Sequence, residues 1–589
     1  MPSPKKTATR RRWTSFSLRA FLLVVFPLVA VVGWYGNAVW TQQTAFDVLV
    51  KNGAGVSLEP SDYPWSWNRP LPRRLRDMLP DHYHRRISRV TMEVLEPDQV
   101  AEACRVLPAL KHLRELYIHL DLDDYSPVAN LTQLQDLHIQ GGDDLGPLAR
   151  LKKLEALDLV NTKATDLSPL SNLTNLRNLT LVHTIATDLT PLGDLTNLKN
   201  LYVVSEFAES IDGFQQLHAL KSLSIRSPIK SFGPLLGLKN LERLSLQSVK
   251  VSDLQGLQDK PNLETLSISC LPNAPDIDLL PLITSPKLQG LEFYGRRVMN
   301  MSPLKGMHGL KWLKVNSRDG DLSPLENLTA LENLFLYETP VTRLDKLSKL
   351  SKLQCFDTSS QELVSLEPLA KMPGPNYLTV RCPKLVDLSP LRNKQALAGL
   401  NIQGSQVSDL KPLLWLTALY NLDVSNTKID NQSLESLPLK VTELKLSNTK
   451  VSDISALAYR SNLSSLDLSG TQVKEIASLE KHVGMSLLSL ADTPVENIDS
   501  LSKISGLHSL DLSGTKIVDL RPLSSCRRLR ELSLDRSSVT NLMPLCNPGW
   551  SYPDGLNHLR IPAGISEQHL EQFRKQLPYC VISKPTRVK

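Results

Sequence analysis

Tyr294, Trp312, Lys314, Phe335, Tyr337, Tyr377 and Arg381 stand at alternating positions of short apolar-polar segments in the middle of a 589-residue chain. Large aromatics interleaved with Lys and Arg concentrate binding energy at interfaces, so the chemistry this set suggests is recognition. The competing reading is aromatic packing across neighbouring strands that merely covers a sheet. Binding is favoured by the scarcity of exposed aromatics expected elsewhere in the chain. Residue types suited to catalysis are dispersed. His82 and His84 beside Arg85 and Arg86 read as a solvated surface, and an enzyme would have to assemble its constellation within residues 41–86. Seven cysteines (Cys104, Cys270, Cys355, Cys382, Cys526, Cys546, Cys580) form no Cys-x-x-Cys pair and have no histidine at ligand spacing, although Cys526 and Cys546 fall in successive arms and are candidates for a disulfide. Phosphate-binding glycine loops, nucleophile elbows and His-Glu-x-x-His are absent. The expectation is a protein that is not an enzyme, with no catalytic, cofactor-binding or metal site.

Two further residue columns are better explained by structure than by chemistry. Thr162, Thr184, Thr427, Thr449, Thr471, Thr493 and Thr515 fall where the chain leaves an apolar segment, and a hydroxyl there can satisfy buried turn groups. Asp166, Asp188, Asp387, Asp409 and Asp519 precede Leu-Ser-Pro-Leu or a close variant, where they read as caps for short turns, with Ser or Thr before Pro at the helix N-cap.

Both columns belong to one sentence, Leu-x-x-Leu-x-Leu-x-x-Thr-x-Val-x-Asp-Leu-Ser-Pro-Leu, repeated about every 22 residues from near Leu113 to near Leu529. Leu463, Met485, Leu507 and Leu529 open successive copies, each followed by paired leucines such as Leu466 and Leu468. The period-two alternation of Leu510-Asp511-Leu512 predicts one short strand per repeat, with leucines on one side. A connection that returns to the same edge makes the strands parallel, and stacking buries a leucine column that no single repeat can bury. Pro375, Val441 and Met485 replace the leading leucine, Leu198 to Ser210 lacks the Thr and Asp-Leu signals, and Leu271 to Asp276 reads as an inserted loop.

This pattern resembles the leucine-rich repeat family, in particular the short bacterial, internalin-like type, over residues 87–562. The resemblance implies an α/β repeat solenoid: curved, right-handed, with a concave parallel β-sheet and short 3₁₀ or irregular convex arms. It also implies an extended partner on the concave face. There the exposed strand positions become small and acidic toward the C-terminus, as in Ser465/Asp467/Ser469 and Ser509/Asp511/Ser513, in contrast with the aromatic middle.

The net charge of +7 is concentrated, since residues 1–19 hold Lys5, Lys6, Arg10, Arg11, Arg12 and Arg19 and no acid. The nearly neutral remainder argues against nucleic acid as a partner. Residues 20–40 are uncharged and, at about 1.5 Å per residue, span a bilayer core of about 30 Å as one transmembrane helix. The basic tail places the N-terminus in the cytoplasm and exports the repeats, with Trp34, Tyr35 and Trp40 as interfacial anchors. A cleavable signal peptide ending at Gly36-Asn37-Ala38 is the rival reading.

Residues 41–86 read as linker and N-terminal cap, with a helix over 44–51, a strand over 53–58, a linker over 63–70, a helix over 73–78 and a first strand over 87–92. Residues 563–589 read as the C-terminal cap, an amphipathic helix over 565–576 followed by a last strand over 578–582. The functional expectation is a single-pass inner-membrane protein that binds a protein or cell-envelope component. The alternatives are a passive spacer or adhesion element, or a secreted form.

Overall fold

The computed structural model describes residues 44–60, 85–92, 97–110, 112–122, 125–251, 253–271, 276–460, 462–546 and 555–584. The basic tail, the expected membrane segment 20–40, the linker 63–70 and the expected helix 73–78 lie outside the described residues. Among the described residues no helix is long and apolar enough to cross a membrane. The chain forms two compact units, Met1–Ile229 and Lys230–Lys589.

The first unit begins with a helical segment over 44–51 and the strand Gly55–Pro60, which pairs antiparallel with Arg85–Met92. From Arg85–Met92 the strands stack in parallel, one per repeat, as far as Ser222–Arg226. The antiparallel partner covers the edge that an open parallel stack would leave unpaired. The second unit is a parallel stack from Arg243–Val249 to Val581–Ser583. Leu466, Leu488, Leu510 and Leu532 face one another in register and are at most 2% exposed. Pro375, Val441 and Met485 are buried in the leading slot, so any apolar residue of suitable bulk fills it.

Each repeat leaves its strand through a turn whose chemistry recurs. Gly404, Asn426, Asn448, Gly470, Asp492, Gly514 and Arg536, spaced 22 residues apart, all have positive φ. A left-handed residue there reverses the chain, and Gly, Asn and Asp adopt it at low cost. Arg536 is the exception, and its guanidinium pairs with Asp492 of the same slot two repeats earlier, at 2.8 and 3.1 Å. The threonine that follows is buried, and in Thr427, Thr449, Thr471, Thr493 and Thr515 the hydroxyl donates to a strand carbonyl three residues back at 2.6–2.7 Å. Where the consensus threonine is missing, Ser205 donates to the Ala186 carbonyl, at 3.2 Å.

The return arms are short 3₁₀ turns, as the Ser-Pro signal predicted, but the capping is arranged differently. Ser168 is the first 3₁₀ residue, and the backbone N-cap, Leu167, makes no side-chain capping bond. The cap is Asp166, whose Oδ1 accepts the Ser168 N–H at 2.8 Å. Asp188, Asp387, Asp409 and Asp519 do the same for the residue two positions on, at 2.8–2.9 Å. Two arms hold α-helices that the repeat consensus did not announce, Pro97–Val106 and Asn431–Leu434, the latter capped by Asp430.

At the C-terminal end the helix Glu567–Gln576 buries Leu570 and Phe573. The last strand, Val581–Ser583, begins later than expected and pairs parallel with His558–Arg560. The Cys526–Cys546 disulfide is not formed: both thiols are free, and Cys526 Sγ donates to the Leu501 carbonyl at 3.3 Å.

Candidate binding surface

In the second unit the strand register decides which side chains meet. Glu292 lies beside Lys314, Lys314 beside Phe335, Phe335 beside Asp357, and Asp357 beside Thr379. Trp312 and Tyr377 belong to a neighbouring row, with Asn333 and Cys355 between them. After Glu292 the strand Gly290–Val298 bulges through Gly295, whose φ is +77°, and the register resumes with Arg297 beside Asn316. A Cβ at Gly295 would lie 2.3 Å from the Cys270 carbonyl oxygen, so the bulge that presents Tyr294 requires glycine.

Lys314 is the centre of the group. Its Nζ lies 4.4 Å from the Tyr294 ring centroid, 5.0 Å from Tyr337 and 5.6 Å from Phe335, distances at which a cation is attracted to aromatic faces. Phe335 also packs on Trp312, with centroids 4.9 Å apart, and on Tyr337 at 6.3 Å. No carboxylate forms an ion pair with Lys314 among the described residues. Arg381, by contrast, is neutralised: its Nη2 donates to both oxygens of Asp357 at 2.9 and 3.3 Å, and Asp357 also accepts the Tyr337 hydroxyl at 3.3 Å. Glu292 accepts the Tyr294 hydroxyl at 3.0 Å. Burial, then the adjacent carboxylate, pushes the hydroxyls of Tyr294 and Tyr337 up to about 12, so both remain protonated donors at neutral pH.

The structure thus gathers six of the seven candidates, Tyr294, Trp312, Lys314, Phe335, Tyr337 and Arg381, and sets Tyr377 apart. The Tyr377 ring lies over Gly399, where a Cβ would come within 2.8 Å of Cδ1, and its hydroxyl meets that of Tyr420 at 2.8 Å. The seven candidates thus divide into a cluster and a separate tyrosine pair. Asp357 and Tyr420 were missed because their roles depend on partners in other repeats, one strand away for Asp357 and two for Tyr420.

Two other expectations change. The acidic C-terminal face is largely structural, since Asp423, Asp467 and Asp511 each accept the N–H two residues on at 2.9–3.0 Å, turning the chain out of the strand. Exposed aromatics are also not confined to the middle: Tyr202, Phe207, Trp415, Tyr459 and Tyr579 are all exposed.

The first unit carries its own aromatic group. Tyr117 and His138 are stacked with centroids 6.3 Å apart, His119 lies 4.9 Å from His138, and Arg89 sits over the Tyr117 ring. The alternation Tyr117-Ile-His119 was its sequence signal.

Burial raises the thiol pKa of Cys270, Cys355, Cys382, Cys526, Cys546 and Cys580, so none of the six is an activated nucleophile. Among the described residues no three His, Cys, Asp or Glu side chains converge as a metal site.

No protein-family model matches the chain, and no curated protein matches it. Solved structures do. An internalin (inlF) of Listeria monocytogenes is 21% identical over 68% of this chain and 87% of its own, with a TM-score of 0.26. A leucine-rich-repeat protein of Leptospira interrogans is 18% identical over 82% of this chain and 98% of its own, with a TM-score of 0.34. A TDR receptor is 15% identical over 83% of this chain and 95% of its own, with a TM-score of 0.49. The leucine-rich parallel solenoid rests on the strand register and the buried leucine column of this chain.

Proposed function

We propose that this chain is a membrane-anchored repeat protein that binds a protein or cell-envelope component, without catalysis, through the strand face of its second unit. The carrying observation is Lys314, an ammonium group over three aromatic rings that forms no ion pair among the described residues, beside an arginine whose charge is already neutralised. A partner suited to that surface presents an anionic group flanked by apolar side chains: the anion meets Lys314 while the apolar groups cover Tyr294, Phe335 and Trp312. The same proposal places residues 1–19 in the cytoplasm, residues 20–40 across the inner membrane, residues 41–86 and 563–589 as caps and the repeats 87–562 outside.

The second reading, a passive spacer, is favoured by the way Trp312, Phe335 and Tyr337 tile one another, since rings packed on each other need no ligand. A pull-down of envelope extract with residues 41–589 separates the two readings when the parent is compared with Trp312→Ala plus Tyr337→Ala and with Asp467→Asn plus Asp511→Asn. Binding predicts a component lost only with the aromatic variant, and an affinity for it lower by roughly thirtyfold, about 2 kcal/mol. The Asn pair keeps the turn acceptors, so it removes charge alone. No component captured by any of the three folded proteins leaves the spacer reading, and equal capture by all three places the contact elsewhere on the chain.

A further inference from the structure

Several of the exposed apolar side chains of the second unit lie off its strands, in the arms that return to the sheet. Trp415, Leu439, Tyr459 and Val483 are 71%, 74%, 84% and 58% exposed, more than any ring of the candidate binding surface, where Tyr377 reaches 46%. Their placement is regular. Trp415 and Tyr459 stand four residues before the apolar residue that opens the next repeat, and Leu439 and Val483 stand two before it. The four therefore fall in four successive repeats, staggered along the edge where each arm returns to the sheet. In flanking repeats the first slot holds Lys371 and Asn393 before the run and Lys503 after it, and the second holds Pro373, Gln395 and Ser505. A large apolar side chain thus occupies one or other of these two slots in four successive repeats.

The segments that carry this stripe are basic, with the exposed Glu435 and Glu480 just outside them. In the windows 415–418, 437–440, 459–462, 481–484, 503–506 and 525–528 there is no Asp or Glu, and there are six bases: Lys440, Arg460, Lys481, Lys503, Arg527 and Arg528. Lys481 Nζ lies 5.0 Å from the Tyr459 ring centroid, which holds a cation against an apolar tip. Trp and Tyr beside Lys and Arg are the side chains that settle at a membrane-water boundary, where rings enter the headgroup region and cations meet lipid phosphates. Isolated apolar tips on a basic edge match a fluid interface that deforms around each of them, whereas a protein partner would need a rigid complementary surface.

We propose that this edge of the second unit is a peripheral contact for an anionic lipid surface, with Trp415, Leu439, Tyr459 and Val483 entering the headgroup layer and Lys440, Lys481 and Lys503 neutralising lipid phosphates. The proposal is independent of the strand-face reading, because it uses none of the same residues.

The test uses the full chain carrying Leu439→Cys, labelled with an environment-sensitive dye, with the labelled parent as baseline and Val386→Cys, at a different slot of the same unit, as control. Vesicles with brominated acyl chains are prepared from phosphatidylcholine alone or with about one-third phosphatidylglycerol, and quenching at position 439 is expected to be at least about threefold greater in the anionic vesicles. It should fall toward the control when Trp415→Ser and Tyr459→Ser are added, while circular dichroism stays unchanged. Equal quenching in both lipids, quenching at 439 no greater than at 386, or a stripe-dependent dimer formed without vesicles would each overturn the proposal.

Discussion

The turn slot shows how one backbone angle constrains a residue across the whole repeat array. Gly514 has φ of +67°, and Asn426 and Asn448 occupy the equivalent position with φ of +57° and +54°. An Ala there has a Cβ that crowds the following carbonyl and no side-chain amide to bond locally, a cost of roughly 1–2 kcal/mol. Gly514→Ala is therefore expected to lower the urea midpoint measurably, and Gly514→Asn to stay close to the parent. Equal loss in the two variants would show that crowding against Asp492, and not the backbone angle, governs the slot.

The 3₁₀ arms are held by aspartates, and that makes them sensitive to acid. The backbone N–H of Ser168, then its hydroxyl, holds the Asp166 carboxyl below the usual carboxylate range. The Thr190 hydroxyl and then its N–H do so for Asp188. A carboxyl whose folded pKa is depressed contributes stability that is present above its unfolded pKa and is lost as pH falls through the folded value. Both groups are solvent-exposed, so each effect is small. Asp166→Asn plus Asp188→Asn keeps an acceptor for the turn but removes the proton linkage. The drop in melting temperature between about pH 6 and about pH 3 should be smaller in the double variant than in the parent. An identical drop would assign the acid sensitivity to other carboxylates.

For the whole molecule the proposed membrane anchor makes a testable prediction. If residues 20–40 span the bilayer, the full chain requires detergent for extraction. Deleting residues 1–40 should yield a body that alkaline or high-salt washing releases, with unchanged circular dichroism, because any remaining contact along the basic edge is electrostatic and interfacial. A full-length product recovered without detergent and beginning near Val39 would instead establish cleavage of a signal peptide.

Much of this was legible in the sequence because a repeat states its constraints many times. The leucine period required a parallel stack, the threonine column marked the turn, and Ser-Pro marked the 3₁₀ arms, each a local rule read from neighbouring residues. The candidate binding residues were legible as outward-facing aromatics for the same reason, since strand alternation reveals which side chains point away from the leucine column. Their grouping was not. Whether Tyr377 joins Phe335 or Tyr420, and whether Arg381 is free or neutralised by Asp357, depend on register and on side-chain reach between strands more than 20 residues apart in sequence. The sequence by itself determined the repeat and its outward-facing residues, because these follow from the chain's periodicity. Only the tertiary structure decided which charges are already paired and which, like that of Lys314, remain available, because pairing is a property of distances between strands.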